Sequence, residues 1–156
     1  MLVSDVFAAL DSLEQLGVRY WVGGGWGVDA LVGRQTRDHR DLDVAVDADQ
    51  LDLAMTALHG LGYKVETDWL PVRVELAAAQ GWVDLHPVEF DATGHGLQAG
   101  PDGTTFAYPV EALQSGVLNG RPIPCLSVER QLVFHTGYDP RPQDLHDLDL
   151  LRSLIR

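Results

Sequence analysis

The chain has 156 residues, 46% of them hydrophobic and 22% charged, which is typical of a single globular domain and excludes a disordered chain. Its 23 acidic residues outnumber 11 Lys and Arg residues, and the net charge of −12 argues against a DNA partner. The single cysteine, Cys125, excludes an internal disulfide framework and is consistent with a reducing compartment. No apolar run reaches the roughly 18 residues of a membrane span, so we expect one cytoplasmic domain over residues 1–156 with no membrane contact.

The first 61 residues predict helices alternating with strands. Apolar residues recur at helical spacing in two segments, a short strand precedes a run of three glycines, and a second strand is bounded by polar residues. The predicted helices are 4–16, 26–31 and 50–61, and the predicted strands are 19–22 and 42–46.

The later part of the chain predicts strands joined by hairpins. The predicted strands are 63–67, 71–78, 82–88, 117–118 and 123–125, and the predicted helices are 127–135 and 143–155. Residues 92–104 are rich in Gly and polar residues and predict a loop. Hairpins in place of helical crossovers favour an α+β fold, with a mixed sheet flanked by helices and two helices at the C-terminus.

Two acidic residues share one face of the predicted strand at 42–46. Side chains in a strand alternate between faces, so Asp41 and Asp43 project together. Adjacent carboxylates repel each other unless a cation lies between them, and oxygen ligands suit Mg²⁺ or Mn²⁺. The alternative is a solvated acidic strand end, since Asp47 and Asp49 repeat the spacing.

A glycine run precedes the second predicted helix. Gly23, Gly24 and Gly25 allow a bound group to approach the backbone, and a helix start offers N–H donors to an anion. The alternative is a tight turn between strand and helix.

Cationic side chains stand just before the Asp41–Asp43 pair. Arg37, His39 and Arg40 are positioned to hold a triphosphate, or else form a surface turn in which the arginines pair with nearby acids.

A further Asp-x-His pair lies on the predicted strand 82–88. Asp84 and His86 share a face, so Asp84 is a candidate third metal ligand or general base, with Glu89 as a second choice for the base. The alternative for His86 is a hydrogen-bonded sheet histidine. His146-Asp147 resembles the dyad of metal phosphohydrolases, but suitable partners are missing and we expect helix-surface residues.

The stretch WVGGGWGVDALVGRQTRDHRDLDV, residues 21–44, resembles the nucleotidyltransferase superfamily and, more closely, its small antibiotic nucleotidyltransferases. These are the lincosamide and the aminoglycoside 2''-nucleotidyltransferases. Residues 83–88, 120–125, 134–138 and 144–147 also resemble blocks of these groups, so the resemblance covers nearly the whole chain.

This resemblance implies a polymerase-beta-like fold and a metal-dependent transfer of a nucleotide monophosphate to a hydroxyl. Its co-substrate would be ATP or another nucleoside triphosphate, and its cofactor Mg²⁺ or Mn²⁺. The implied metal ligands are Asp41, Asp43 and Asp84, with Asp84 also the implied base. The implied nucleotide contacts are Gly24, Gly25, Arg37 and His39.

The sequence is compatible with three functions. The first is an adenylyltransferase acting on an antibiotic, a small-molecule acceptor whose pocket a second subunit could complete as a homodimer. The second is a nucleotidyltransferase acting on an unknown metabolite, protein or RNA, and the negative charge argues against RNA. The third is a non-catalytic nucleotide-binding module, against which the intact carboxylates argue.

Overall fold

The computed structural model describes residues 1–156. It contains five α-helices and nine β-strands. The helices are α1 (Val3–Gln15), α2 (Gly24–Val32), α3 (Leu51–Gly60), α4 (Val128–Phe134) and α5 (Pro142–Leu154). The strands are β1 (Tyr20–Val22), β2 (Asp41–Asp47), β3 (Lys64–Trp69), β4 (Arg73–Ala78), β5 (Gly81–Phe90), β6 (Gly96–Ala99), β7 (Thr105–Tyr108), β8 (Leu113–Leu118) and β9 (Arg121–Leu126). None of the helices combines the length and the apolar character needed to cross a membrane.

The nine strands form one mixed sheet. Its main order is β3-β4-β5-β2-β1-β9-β8, while β6 pairs with the far half of β5 and β7 pairs with β6. Strand β2 runs parallel to β5 and antiparallel to β1, and β1 runs parallel to β9. Hairpins join β4 to β5 and β8 to β9, as predicted. The α+β prediction, with a mixed sheet and two C-terminal helices, is therefore confirmed.

The alternation of side chains in β2 separates the core from the site. Leu42, Val44 and Val46 are fully buried in the main hydrophobic core, which also takes in the apolar faces of α1 and α3. Burying such side chains contributes about 1.5–3 kcal/mol each, so a shift of β2 by one residue is strongly disfavoured. Asp41 and Asp43 consequently emerge on the opposite face of the sheet.

The prediction of a loop over residues 92–104 is wrong for residues 96–99, which form β6, and β7 begins directly after the predicted loop. The glycine content that suggested a loop serves close packing instead. A Cβ at Gly96 would meet the side chains of Val88 and Phe90 on the paired strand β5. The absence of a side chain lets β6 approach β5.

Candidate active site

Parallel pairing of β2 with β5 brings the predicted carboxylates together. Asp43 is the register partner of Asp84, and Asp41 is the partner of Trp82. A carboxylate oxygen of Asp43, a carboxylate oxygen of Asp84 and a ring nitrogen of His86 lie within 4.8 Å of one another. Asp41 is on the same face of β2 but outside this group, so the structure brings together two of the three predicted metal ligands and places the third beside them.

The surroundings of the three carboxylates shift their pKa values in different directions. Burial alone would raise the pKa of Asp43, but the His86 hydrogen bond and the positive charge of Arg73 outweigh it and lower that pKa. Burial raises the pKa of Asp84 despite its pairing with Arg73, and burial together with repulsion by Asp43 raises that of Asp41. Asp43 therefore ionises most readily, whereas Asp84 is the more basic group.

Arg73 on β4 holds Asp84. Its Nη1 atom lies 2.7 Å from Oδ1 and 2.5 Å from Oδ2 of the Asp84 carboxylate. This ion pair offsets the cost of burying Asp84 on the sheet. Glu89, the second choice for a base, is exposed, and strand alternation puts it on the face of β5 opposite Asp84.

A chain of buried hydrogen bonds fixes His86. The Tyr108 hydroxyl donates to Gln98 Oε1 at 2.6 Å, and Gln98 Nε2 donates to His86 Nδ1 at 3.3 Å. His86 Nε2 then carries the hydrogen that it donates to Asp43 Oδ1 at 3.2 Å. Both ring nitrogens are thus engaged, which leaves the three carboxylates as the available oxygen ligands for a cation.

The glycine turn lies directly above Asp43. Gly23 N donates to Asp43 O at 2.9 Å, and α2 begins at Gly24 with no side-chain cap. The first N–H groups of this helix therefore lack intrahelical acceptors. A Cβ on Gly24 would collide with the Asp43 carboxylate, so only glycine allows this approach.

The loop before β2 places Arg37 and His39 against the same turn, since a Cβ at Gly25 would meet both side chains. His39 Nε2 lies 2.5 Å from Asp29 Oδ2, and Asp29 Oδ1 accepts bonds from the backbone N–H and hydroxyl of Thr36. Arg37 pairs with Asp147 of α5. Helix N–H groups flanked by an arginine and a histidine suit a phosphate.

These features share one cavity of about 680 Å³. Its wall includes the glycine turn, Arg37–Asp41, Asp43 and His86, with Asp84 just outside the lining. The lining also includes the aromatic side chains Phe106, Tyr108, Phe134 and Tyr138, which we call the aromatic wall.

The structure adds several residues to the site that were not predicted from the sequence. Asp147 is buried, so the expectation of a surface His146-Asp147 pair is wrong for this residue, while His146 is exposed. Gln131 of α4, also buried, donates to Gly24 O at 3.3 Å. Asp29 lies within the stretch that carried the resemblance, but Gln98 and Gln131 have no sequence signal because their partners are distant in the chain.

A family model for aminoglycoside-2''-adenylyltransferases matches residues 5–151. The chain belongs to this family. A lincosamide resistance protein of Staphylococcus haemolyticus is 39% identical over 151 residues, covering 96% of this chain and 94% of the relative. A 2''-aminoglycoside nucleotidyltransferase of Klebsiella pneumoniae is 29% identical over 128 residues, covering 82% and 67% of the two chains.

The crystal structure of the lincosamide antibiotic adenylyltransferase LnuA with lincomycin bound is similar to this nucleotidyltransferase, with a TM-score of 0.89. The two are 38% identical, and the match covers 99% of this chain and 98% of that one. The resemblance to antibiotic nucleotidyltransferases, the fold and the enzyme class are therefore confirmed.

Proposed function

We propose that this enzyme transfers AMP from ATP to a hydroxyl of a lincosamide antibiotic, and that residues 1–156 act as a single domain in the cytoplasm. The observation that carries the proposal is the pairing of Asp43 with Asp84 beneath the glycine turn. Two carboxylates beside free helix N–H groups bring a cation site and a phosphate site together.

The carboxylates fit a hard divalent cation. Asp41, Asp43 and Asp84 would hold Mg²⁺ or Mn²⁺, since carboxylate oxygens suit these ions and His86 has both nitrogens in hydrogen bonds. When bound, the ion supplies positive charge that stabilises the phosphate oxygens during transfer. The N–H groups of Gly24 and Gly25 and the side chains of Arg37 and His39 would hold the triphosphate.

Asp84 suits the role of base for the acceptor hydroxyl better than Asp43, since burial raises its pKa while that of Asp43 is lowered. Asp41, whose pKa is also raised, lies outside the group of Asp43, Asp84 and His86. In the proposed step, the acceptor oxygen loses its proton to Asp84 and forms a bond to the α-phosphorus. The bond from that phosphorus to the bridging oxygen breaks, and pyrophosphate leaves. Arg73 must release at least one Asp84 oxygen for this transfer.

The cavity favours a lincosamide over an aminoglycoside. A polycationic aminoglycoside is best held by several unpaired carboxylates. Outside the proposed cation site the cavity offers only Asp38 unpaired, since Asp144 pairs with Arg141 and Asp147 pairs with Arg37. The aromatic wall instead offers apolar surface to a less charged acceptor. The 39% identity to a lincosamide resistance protein supports the same choice.

Incubation with ATP, Mg²⁺ and a panel of lincosamides and aminoglycosides, read by mass spectrometry, tests the proposal. We expect a mass increase of one AMP on a lincosamide and none with an Asp43→Asn control. Modification of aminoglycosides alone would contradict the acceptor class, and no transfer to any antibiotic would favour another acceptor. Light scattering of the same sample tests the predicted homodimer.

A further inference from the structure

Asp147 of helix α5 forms a bidentate salt bridge with Arg37, which lies 110 residues earlier in the chain. Arg37 Nε donates to Asp147 Oδ1 at 3.0 Å, and Arg37 Nη2 donates to Asp147 Oδ2 at 2.6 Å. The Asp147 side chain is only 2% exposed, whereas the Arg37 side chain is 24% exposed. The fixed geometry of such a fork sets the plane of the guanidinium.

Asp147 and Asp38 leave two donors of Arg37 unused, and the Nη2 atom that carries one of them lies beside the glycine turn. A guanidinium has five N–H groups, and Asp147 takes two of them while the Asp38 carbonyl accepts one from Nη1 at 3.1 Å. One N–H on Nη1 and one on Nη2 are left. Nη2 is the atom that a Cβ at Gly25 would meet, so this end of Arg37 points to the start of α2.

No other side chain holds the guanidinium in this orientation. Arg37 lies in the irregular segment between α2 and β2, where Asp29 anchors Thr36 and His39 but does not contact Arg37. A free arginine has many rotamers and loses considerable entropy when it binds a ligand. Asp147 removes much of this freedom before any ligand arrives.

Compared with an apolar side chain, a carboxylate offers little gain in stability at this position. A buried ion pair is often no more stabilising than apolar side chains of similar volume, because both charges lose their hydration. Asp147 nevertheless lies between Arg37 and His135, whose Nε2 is 3.7 Å from Asp147 Oδ2. This arrangement is better explained by a requirement for one defined position of Arg37.

We propose that Asp147 is a positioning residue of the nucleotide site, which acts through Arg37 and makes α5 a part of that site. The inference rests on the proposed contact between Arg37 and the triphosphate. Asp147 itself does not need to touch the nucleotide.

A double-mutant cycle tests this inference with the full chain. The variants are Arg37→Ala, Asp147→Asn and the combination, with Asp149→Asn as a control on the exposed side of the same helix. Calorimetry with MgATP in the absence of acceptor gives the dissociation constant, and urea unfolding gives the stability of each variant. The readout is independent of which antibiotic is the acceptor.

We expect Asp147→Asn to weaken MgATP binding about tenfold to a hundredfold, the effect of a misplaced binding group, and Asp149→Asn to leave it unchanged. In the Arg37→Ala background, Asp147→Asn should weaken binding no further. If Asp147→Asn does not fold, Asp147→Glu takes its place, since it keeps the buried charge but shifts the carboxylate by one methylene.

Two results would overturn the inference while leaving the proposed function standing. One is unchanged MgATP binding in a folded Asp147 variant when Arg37→Ala weakens it. The other is an equal loss from the Asp147 substitution with and without Arg37, which indicates a purely structural role. If Arg37→Ala itself leaves binding unchanged, the triphosphate role of Arg37 fails and the inference fails with it.

Discussion

Replacing Gly24 by alanine should impair transfer because of a single methyl group. Gly24 has φ +53°, and an ideal Cβ would lie 2.9 Å from Cγ of Asp43 and closer still to one carboxylate oxygen. Ordinary carbon contacts are about 3.5–4.0 Å, so the Asp43 side chain must move by about 1 Å. A shift of this size in a reacting group can lower activity about 10²-fold, which is the loss of kcat/KM that we expect.

Gly33 at the other end of α2 provides a matched control. Its φ is +94°, and a Cβ there would meet no atom within 4 Å. Gly33→Ala therefore introduces a left-handed alanine, at about 1–2 kcal/mol, without touching Asp43. Urea unfolding should show similar losses of stability in both variants. Single-turnover transfer should show a large loss of rate only in Gly24→Ala. Equal rates in the two variants would refute the steric argument.

Three further predictions concern buried or paired carboxylates. Asp43→Asn should abolish Mg²⁺-dependent transfer and leave the fold intact. Asp49→Asn, at the exposed member of the second Asp-x-Asp pair, should behave as wild type. Transfer by Asp43→Asn above about a tenth of wild type would contradict the assignment, because loss of a transition-state charge partner reduces the rate by more than that. If Asp84 is the base, Asp84→Asn should slow transfer by about 10²–10⁴ while MgATP still binds. A parallel loss of Mg²⁺-dependent affinity for ATP would identify Asp84 as a metal ligand. Transfer at the wild-type rate would exclude both roles. Burial opposes ionisation of Asp147, but the hydrogen bonds from Arg37 and the proximity of His135, 3.7 Å away, outweigh it and lower the pKa of Asp147 from 3.8 to about 2. Its charged form therefore adds about 2 kcal/mol of stability above pH 4, which is lost as the pH falls toward 2. Urea unfolding should thus show a gap between wild type and Asp147→Asn that is wide at pH 7 and smaller at pH 3, and a constant gap would count against the ion pair.

Local patterns in the sequence determined much of the site. The period of two in a strand puts Asp41 and Asp43 on one face, and Asp84 and His86 on one face of another strand. The three glycines before a helix indicated the turn that lies over Asp43. These conclusions hold because they depend only on residues a few positions apart.

The tertiary structure decided which of these faces meet. β2 has β5 as its parallel neighbour, and that pairing sets Asp43 opposite Asp84. The sequence carries no local record of this register, because it results from burying the apolar side of both strands in a shared core. The two strands of 96–108 were obscured for a related reason, since Gly96 reads locally as a loop residue and serves instead for packing on β5.

Pairs that are distant in the chain were also decided only by the fold. Arg37 meets Asp147 across 110 positions. A sequence shows that a charge exists, but whether it is solvated or buried beside a partner depends on the packing of whole elements. In this protein the packing of α5 against α2 turned an apparent surface aspartate into a buried partner of Arg37.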